Sequence, residues 1–439
     1  MTKKNIAGLL CCFISCLASA QKIDTQQLDR YFNALEENNK FMGSVAVSQD
    51  GKIIYAKAIG FSDLENNTKA NTATKYRIGS ISKTFTSVLV LKAFEDKKLD
   101  LDTTIETFFP TIINANKITI RQLLRHRSGI YNFTDDEEFK AWKTQAKTEK
   151  EMVAIIAKGG SDFEPDTQAA YSNSNYVLLT YILEKTYKKP YSELLKTYIA
   201  KPAGLKNTYF GGKINTKNNE AASYAFADGW KLESETDSSI PLGSGGIVST
   251  PSDLVHFSDA LFTGKLLKKE TLELMKTIKD TYGMGLLQLP FYEDIAYGHR
   301  GGIDKFTSVF SYSSDKKLSF ALTSNGSNYN GNEIPVVVLS AVYGKPFDIP
   351  EFKTFQNNPE DLEKYVGTYA SSQLPFKLTV SKEGKTLVAQ APGQAPLQLE
   401  GIEKDKFAFE KAGIILEFKP GEKAMVLKQG GGEFAFVKE

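Results

Sequence analysis

Residues 80–97 constrain the fold most, because their pattern predicts a helix that is apolar on most sides. A helix of that kind is stable only when other elements enclose it. The chain has 439 residues, which is long for one domain and sufficient for two. Its apolar share of 41% and charged share of 24% are ordinary for a globular protein. We therefore expect the helix to be buried inside a sizeable core.

The elements around this helix predict a mixed fold. Gly43 to Ser48 and Lys52 to Ile59 alternate in polarity around Asp50-Gly51, which is the strongest short-range hairpin signal. Helical patterns then dominate to about residue 205. The remaining predicted elements are helices over 25–38, from 251 and over 333–343, and strands near 284–290, 294–300, 306–313 and 317–324. This order favours an α+β arrangement in which a sheet is faced by helices.

A second pattern begins after a polar stretch at 345–359 that contains three prolines. From there to residue 439, short strand-like runs are separated by glycines and charged turns. These runs are Tyr365 to Tyr369, Phe376 to Ser381, Thr386 to Gln390, Phe407 to Glu410, Ile414 to Phe418 and Phe434 to Lys438. The pattern is typical of a small all-β domain of the barrel type. We expect a linker over 346–359 and the β domain over 360–439.

The N-terminus has the pattern of a secretory signal over residues 1–20. Two lysines precede an apolar run of about 12 residues, too short to span a bilayer, and Ala18-Ser19-Ala20 supplies a small-residue cleavage site. All three cysteines lie in this segment, so a mature chain would lack disulfides and thiol catalysis. We expect a periplasmic or secreted protein without a transmembrane helix. The alternative is a lipoprotein anchored through Cys16.

Charge and composition exclude several partners. Residues 1–20 contain two lysines and no acid, so the mature chain would have 52 basic and 52 acidic residues. Such a balance does not favour nucleic acid or an anionic membrane surface. The whole chain has only three histidines, and the mature part has no cysteine, so we expect no metal and no cofactor.

Ser80-Ile81-Ser82-Lys83 is the first motif with chemical meaning. On a helix, the i, i+3 spacing places Ser80 and Lys83 on one face. A serine hydroxyl becomes a good nucleophile when a neighbour takes its proton. A desolvated lysine can do so, although lowering its pKa from about 10.4 to about 7 costs roughly 4 to 5 kcal/mol. Alternatively, the lysine stays charged and lowers the pKa of another base, such as a tyrosine.

The Ser-x-x-Lys spacing is weak evidence alone, because Ser313 and Ser314 match it in a polar turn. Two further motifs follow Ser80 in the chain. Tyr171-Ser172-Asn173 precedes a helix predicted from residue 175, in a loop where a phenol and an amide could face a pocket or merely cap the helix. Gly298 to Gly302 ends a strand, either for close approach of a substrate or as a bulge beside an edge histidine.

Taken in order, Ser80-x-x-Lys83, Tyr171-x-Asn173 and His299-x-Gly301 resemble the serine β-lactamase and penicillin-binding-protein superfamily. The most similar branch is that of the class C β-lactamase-like enzymes, which include DD-peptidases, D-aminopeptidases and esterases. Leu123 to Gly129 and Gly245 to Thr250 also agree with it. The resemblance covers about residues 24–345. It implies an antiparallel sheet faced by helices, with a helical subdomain, over 21–345. The tail resembles the small β-barrel appended to some members.

The resemblance implies a role for each matching residue. Ser80 would be the acylated nucleophile, and Lys83 would hold and tune it. Tyr171 would act as general base in acylation, then protonate the leaving group and activate water for deacylation. Asn173 would orient the substrate amide, and His299 would complete the electrostatics around Tyr171.

The strand end at 298–302 also departs from the family pattern. The resemblance places an oxyanion hole at the backbone N–H groups of Ser80 and Gly302. Where class C β-lactamases have Lys-Thr-Gly, this chain has His299-Arg300-Gly301. A histidine at the first of these positions is similar to the peptidase and esterase members. Arg300 replaces a small residue, and it either points away or contacts a substrate carboxylate. Lys305 stands where members often have glycine.

These features predict a serine hydrolase that cleaves an amide or ester in a small molecule or short peptide, such as a cell-wall peptide, an ester or a β-lactam. Because of His299, peptidase or esterase activity is favoured over β-lactam hydrolysis. The alternative is a catalytically silent penicillin-binding or sensor protein. In a third hypothesis, the C-terminal barrel binds a ligand in its interior. A role of the barrel in covering the Ser80 pocket is favoured over this. His126 and His256 are interpreted as structural.

Overall fold

The computed structural model describes residues 23–227, 229–352, 355 and 357–439. The predicted signal segment 1–20, with Cys11, Cys12 and Cys16, lies outside these described residues. Within the described part of the chain, no helix combines the length and hydrophobicity needed to cross a membrane.

A six-stranded antiparallel sheet organises the first part of the chain. Its order is β3-β4-β5-β6-β1-β2, so the first hairpin completes a sheet built mainly from later strands. The predicted turn is confirmed, since Asp50 and Gly51 both have positive φ between the paired residues Gln49 and Lys52. The strands are β1 Phe41–Gln49, β2 Lys52–Ile59, β3 Leu287–Phe291, β4 Asp294–Ile303, β5 Phe306–Ser313 and β6 Leu318–Ser327.

Helices cover both faces of this sheet. Those that recur below are α1 Thr25–Glu37, α2 Ser82–Glu95, α3 Asn173–Tyr187, α4 Pro251–Phe262 and α5 Glu333–Val342. On the inner face, α4 packs against β1, β5 and β6, and the stacked rings of Phe85 and Phe257 join it to α2 at 3.7 Å between centroids. On the outer face, α1 and α5 form a separate apolar cluster with β1, β2 and β6.

Smaller elements complete the helical subdomain. The additional helices are Ile120–Leu124, Phe139–Trp142, Glu149–Gly159, Tyr191–Leu195, Lys201–Ala203, Leu242–Gly245 and Lys269–Lys276, and the short strands are Phe61–Asp63, Thr68–Lys69, Tyr76–Arg77, Tyr209–Phe210, Tyr224–Phe226, Trp230–Leu232 and Ile247–Ser249. As predicted, α2 is buried on nearly every side, with Lys83 among its fully buried residues. The sheet and the helices around α2 therefore fix the position of the Ser80 motif.

The C-terminal strands close into an eight-stranded barrel. They are β7 Gly367–Ala370, β8 Lys377–Glu383, β9 Thr386–Gln390, β10 Leu397–Glu403, β11 Lys406–Phe409, β12 Ile414–Lys419, β13 Ala424–Gln429 and β14 Gly432–Lys438. The barrel contains a core of buried apolar side chains, including Phe407, Phe418 and Phe436. An eight-stranded barrel is just wide enough for such a filling, so its interior does not favour the hypothesis of a ligand held inside.

Two details of the barrel differ from the sequence prediction. The strand expected over Tyr365 to Tyr369 begins only at Gly367, because Pro359–Tyr365 forms a 3-10 helix whose last residue bonds through its hydroxyl to Asp405 at 2.5 Å. The strands β10 and β13 were not predicted. A buried Lys40 side chain joins the barrel to the sheet, with its Nζ 2.5 Å from Glu410 and 3.5 Å from Glu400.

Candidate active site

Ser80 lies in a 3-10 turn, Gly79–Ile81, that leads directly into α2. The end of β4 packs against this turn with no room for side chains. Gly79 has φ of +50°, and a Cβ atom on it would lie 2.7 Å from the backbone nitrogen of Gly302. A Cβ atom on Gly301 would overlap the carbonyl oxygen of Ile78. Glycine at these positions therefore lets the backbones of β4 and the Ser80 turn touch.

Lys83 is fully buried and directed at three oxygen atoms. Its Nζ donates to Ser80 Oγ at 3.0 Å, to Asn173 Oδ1 at 2.7 Å and to the carbonyl oxygen of Ser244 at 2.7 Å. No carboxylate of the described residues lies within ion-pair distance. Burial without a counter-charge holds the pKa of Lys83 well below its ordinary value. The structure thus supplies a lysine that loses its proton more easily than a lysine in water.

Tyr171 lies beside both Ser80 and Lys83. Its ring centroid is 4.8 Å from Lys83 Nζ, and its phenol interacts with Ser80. Burial raises the pKa of Tyr171, and the interaction with Ser80 lowers it by a smaller amount. The hydroxyl of Ser80 is therefore in contact with two groups, an amine and a phenol, that can exchange a proton with it.

Asn173 is the first residue of α3, two positions before the start predicted from the sequence. Its side-chain oxygen accepts from Lys83, while its Nδ2 donates to Asn132 Oδ1 at 3.2 Å and to Thr134 Oγ1 at 3.0 Å. Its backbone N–H also donates to Asn132 Oδ1. These bonds fix the orientation of the amide, so that its oxygen faces the lysine.

His126, interpreted as structural from the sequence, contacts this group directly. Its Nδ1 accepts the backbone N–H of Ser172 at 3.1 Å, and its ring lies 4.5 Å from the ring of Tyr171. Burial, followed by the charges of Lys83 and His299, holds its pKa well below the ordinary value. His126 has φ of +55°, a conformation that non-glycine residues adopt rarely. His126 therefore holds the segment in two ways: its Nδ1 binds the backbone of Ser172, and its ring packs against the ring of Tyr171.

His299 and Arg300 point to opposite faces of the sheet. His299 is 4% exposed, and its Nδ1 contacts the carbonyl oxygen of Arg300 at 2.5 Å, which leaves Nε2 as the free ring nitrogen. Burial, with a smaller effect from the charge of Lys83, lowers the pKa of His299 to about 4. Arg300 is exposed and bonds to Asn332 at 3.3 Å. The structure does not bring Arg300 together with Ser80.

A cavity of about 610 Å³ opens beside Ser80. Asn173, Ser244 and Gly302 line it near the serine. Its outer walls come from the segments 133–143 and 233–245, of which the sequence singled out only Gly245, and from the turn 302–305. Within that turn, Asp304 accepts from Lys143 at 3.0 Å and from the hydroxyl of Thr236 at 2.6 Å. This buried hydrogen-bonded group joins all three wall segments.

The amino-acid sequence is similar to those of known proteins. The profile of the family described as Beta-lactamase matches residues 28–339. Penicillin-binding protein 4* of Bacillus subtilis is 25% identical over 94% of this chain and 98% of its own length. The teichoic acid D-alanine hydrolase of Staphylococcus aureus strain MRSA252 is 27% identical over 69% of this chain and 74% of its own.

Solved structures agree in fold. The octameric penicillin-binding protein homologue from Pyrococcus abyssi aligns with a TM-score of 0.68 and 25% identity, covering 95% of this chain and 100% of that one. The D-amino acid amidase from Ochrobactrum anthropi SV3, complexed with D-phenylalanine, aligns with a TM-score of 0.64 and 26% identity, covering 73% and 99%. The chain therefore belongs to the Beta-lactamase family, within the superfamily of serine β-lactamases and penicillin-binding proteins.

Proposed function

We propose that the protein is a serine hydrolase that opens an amide or ester bond through an acyl-enzyme on Ser80. The observation that supports this best is the contact of Ser80 Oγ with Lys83 Nζ, at 3.0 Å, in a site where the amine is fully buried and no carboxylate among the described residues pairs with it. Such an amine has no structural ion pair to satisfy. Its hydrogen bonds go to the proposed nucleophile and to two oxygens that orient it.

The proton of Ser80 leaves through the pair formed by Lys83 and Tyr171. Burial shifts both groups towards their neutral forms. A neutral amine with a phenol, and an ammonium with a phenolate, contain the same number of protons. A proton can therefore move between the two groups without exchange with solvent. As Ser80 Oγ attacks the carbonyl carbon, its proton enters this pair, and Tyr171 returns a proton to the leaving group.

The backbone stabilises the charge that develops in this step. We assign this role to the N–H groups of Ser80 and Gly302, and the support is that their segments touch at Gly79 and that both residues line the cavity. In the second half-reaction, water takes the position of the leaving group. Tyr171 accepts a proton of that water as its oxygen bonds to the acyl carbon, the bond from that carbon to Ser80 Oγ then breaks, and the proton passes to Ser80 Oγ while the acyl product leaves as an acid.

The substrate proposal rests on the relatives and on His299. Relatives include D-amino acid amidases and teichoic acid D-alanine hydrolases. We propose a small amide or ester, such as a D-amino acid derivative or a short peptide. A neutral imidazole, with a pKa of about 4, binds a carboxylate less well than an ammonium does. Because Arg300 points to the opposite face, it does not replace that contact, so β-lactam hydrolysis is the weaker candidate.

We further propose that the hydrolase domain spans 21–345, that 346–359 is the linker and that the β domain over 360–439 shapes access to the site. The support is a second cavity, of about 490 Å³, that shares the turn 302–305 with the Ser80 cavity and includes Lys411 of the barrel. The signal pattern at 1–20 supports export to the periplasm or the medium.

Covalent labelling tests the proposed function. The purified protein is treated with a fluorophosphonate probe and with a fluorescent penicillin, and the modified peptide is identified by mass spectrometry. We expect label on Ser80 and none in Ser80→Ala. The matched control is Ser313→Ala, because Ser313 has the same spacing to Lys316, and it should label like the wild type.

The hydrolase proposal fails if neither probe labels the wild type or if Ser80→Ala labels equally. A panel of D-amino acid amides and chromogenic esters then measures turnover. Label on Ser80 with zero turnover on the whole panel would overturn the hydrolase proposal in favour of a penicillin-binding sensor.

A further inference from the structure

The outer face of the sheet contains a further cavity, of about 500 Å³, which is separate from the two described above and opens away from Ser80. Helices α1 and α5 cover the outer face over β1, β2 and β6, but in the part of the chain that the structure describes no helix packs across the outer face of β3, β4 and β5. The cavity fills this gap, with the strands as its floor and α5 as its wall. Its apolar lining consists mainly of Leu289, Phe291, Val309, Phe320, Val336 and Leu339.

Arg300 supplies the positive charge in this lining. Successive residues of a strand point to opposite faces, and the register of β4 with β5 has no bulge, so Arg300 faces outwards where His299 faces Ser80. Its only side-chain hydrogen bond among the described residues goes to the amide oxygen of Asn332, at 3.3 Å. No carboxylate of the described residues pairs with it.

The carboxylate of the cavity, that of Asp294, already has a hydrogen-bond donor. Asp294, at the opposite end of β4, accepts a hydrogen bond from the hydroxyl of Tyr343. The cavity therefore combines a long apolar surface with one guanidinium whose remaining donors have no acceptor among the described residues. Its volume lies within the range of about 300 to 1,000 Å³ that is usual for small-molecule sites.

We propose that this cavity binds an amphipathic anion, a fatty-acid carboxylate with a single unbranched chain. The chain lies between α5 and the strands, against Val309 and Leu339. The carboxylate accepts from Arg300, whose planar guanidinium can bond both of its oxygens. This site is separate from the proposed Ser80 site and does not depend on hydrolysis.

Calorimetric titration of the full-length chain with decanoate tests the proposal. The Ser80→Ala variant is titrated beside the wild type, so that the result does not depend on the hydrolase proposal. We expect one decanoate per chain in both. Arg300→Gln should weaken decanoate binding by about tenfold or more, since hydrogen bonds to charged groups are the stronger ones. Decanol, which has the same chain without the charge, should bind equally to Arg300→Gln and to the wild type.

Blocking variants test the position of the chain. Val309→Trp fills the floor and should abolish binding of both ligands. Val336→Trp should block the cavity from the side of α5, where the native side chain is 49% exposed and a larger one is tolerated. It replaces Val309→Trp in the experiment if that variant does not fold. Lys316→Gln, an exposed cation in the turn after β5, is the matched control and should bind decanoate like the wild type.

Three results would overturn the proposal. The first is the absence of decanoate binding to the wild type. The second is unchanged binding in Arg300→Gln and in the blocking variants, which would place the ligand elsewhere, for example in the barrel. The third is a concentration-dependent self-association that the blocking variants abolish and decanoate does not affect, which would make the cavity an interface between copies of the chain.

Discussion

Replacing His299 should flatten the dependence of folding stability on pH. In the folded chain, burial and then the charge of Lys83 lower the pKa of His299 to about 4. In the unfolded chain it returns to about 6.5. Between these values, the unfolded state binds a proton that the folded state does not. The stability contributed by neutral His299 is therefore fully present above about pH 6.5 and is lost as the pH falls to about 4.

The size of this effect follows from the difference between the two pKa values. A difference of about 2.5 units, at about 1.4 kcal/mol per unit, corresponds to about 3 kcal/mol. This is a large share of the 5 to 15 kcal/mol typical of folded proteins. His299→Gln has no proton to bind in this range. Relative to this variant, the wild type should lose about 3 kcal/mol more stability between about pH 7 and about pH 4.

Urea unfolding at a series of pH values measures the difference. Every other ionisable group is present in both chains, so the difference between the two curves reports residue 299 together with its effect on the pKa of His126, which the charge of His299 also lowers. In a Lys83→Met background the difference should become smaller, since the charge of Lys83 is the second cause of the shift. Parallel curves for wild type and His299→Gln over the whole range would refute the inference that a buried, neutral imidazole lies beside Lys83.

Three further changes test the site and its surroundings. Tyr171→Phe should reduce the acylation rate by about 100-fold or more, measured by stopped-flow labelling, because it removes the proton carrier; a rate within threefold of wild type would exclude that role. His126→Phe leaves the N–H of Ser172 without an acceptor and should lower kcat with little change in KM, whereas His126→Asn, which retains an acceptor and tolerates positive φ, should recover part of the rate. Lys411→Ala should change KM for long substrates and leave short ones unaffected, with Lys423→Ala on the barrel as control; equal effects on both substrate lengths would contradict a role at the cavity.

Local signals in the sequence predicted much of the fold. The Asp50-Gly51 turn was predictable because positive φ is a property of the turn itself. The burial of α2 followed from the absence of a polar face. The 3-10 helix that ends at Tyr365 was missed because its stability depends on a hydrogen bond to Asp405, forty residues later. A strand propensity in the sequence was overridden there by a tertiary contact.

In the candidate site, too, local motifs were predictable from the sequence and tertiary contacts were not. Ser80, Lys83 and Tyr171 were found through short motifs, and the structure places them around one hydroxyl. His126 was interpreted as structural, but its contacts with the Tyr171 segment could not be predicted, because a lone histidine has no signal until the backbone of Ser172 is placed against it. The orientation of Arg300 was left open because a glycine-rich strand end can contain a bulge, and the regular register of β4 removes that freedom.

The contact between the Ser80 turn and β4 separates reactivity from selectivity in this protein. Since Gly79 and Gly301 bring two backbones together, the distance between the Ser80 turn and the end of β4 depends on main-chain packing rather than on any side chain. A side chain at either glycine would therefore have to displace one of the two segments. The walls at 133–143 and 233–245 have no such restriction. New substrate preferences can arise there by ordinary substitution that leaves the proposed catalytic group around Ser80 in place.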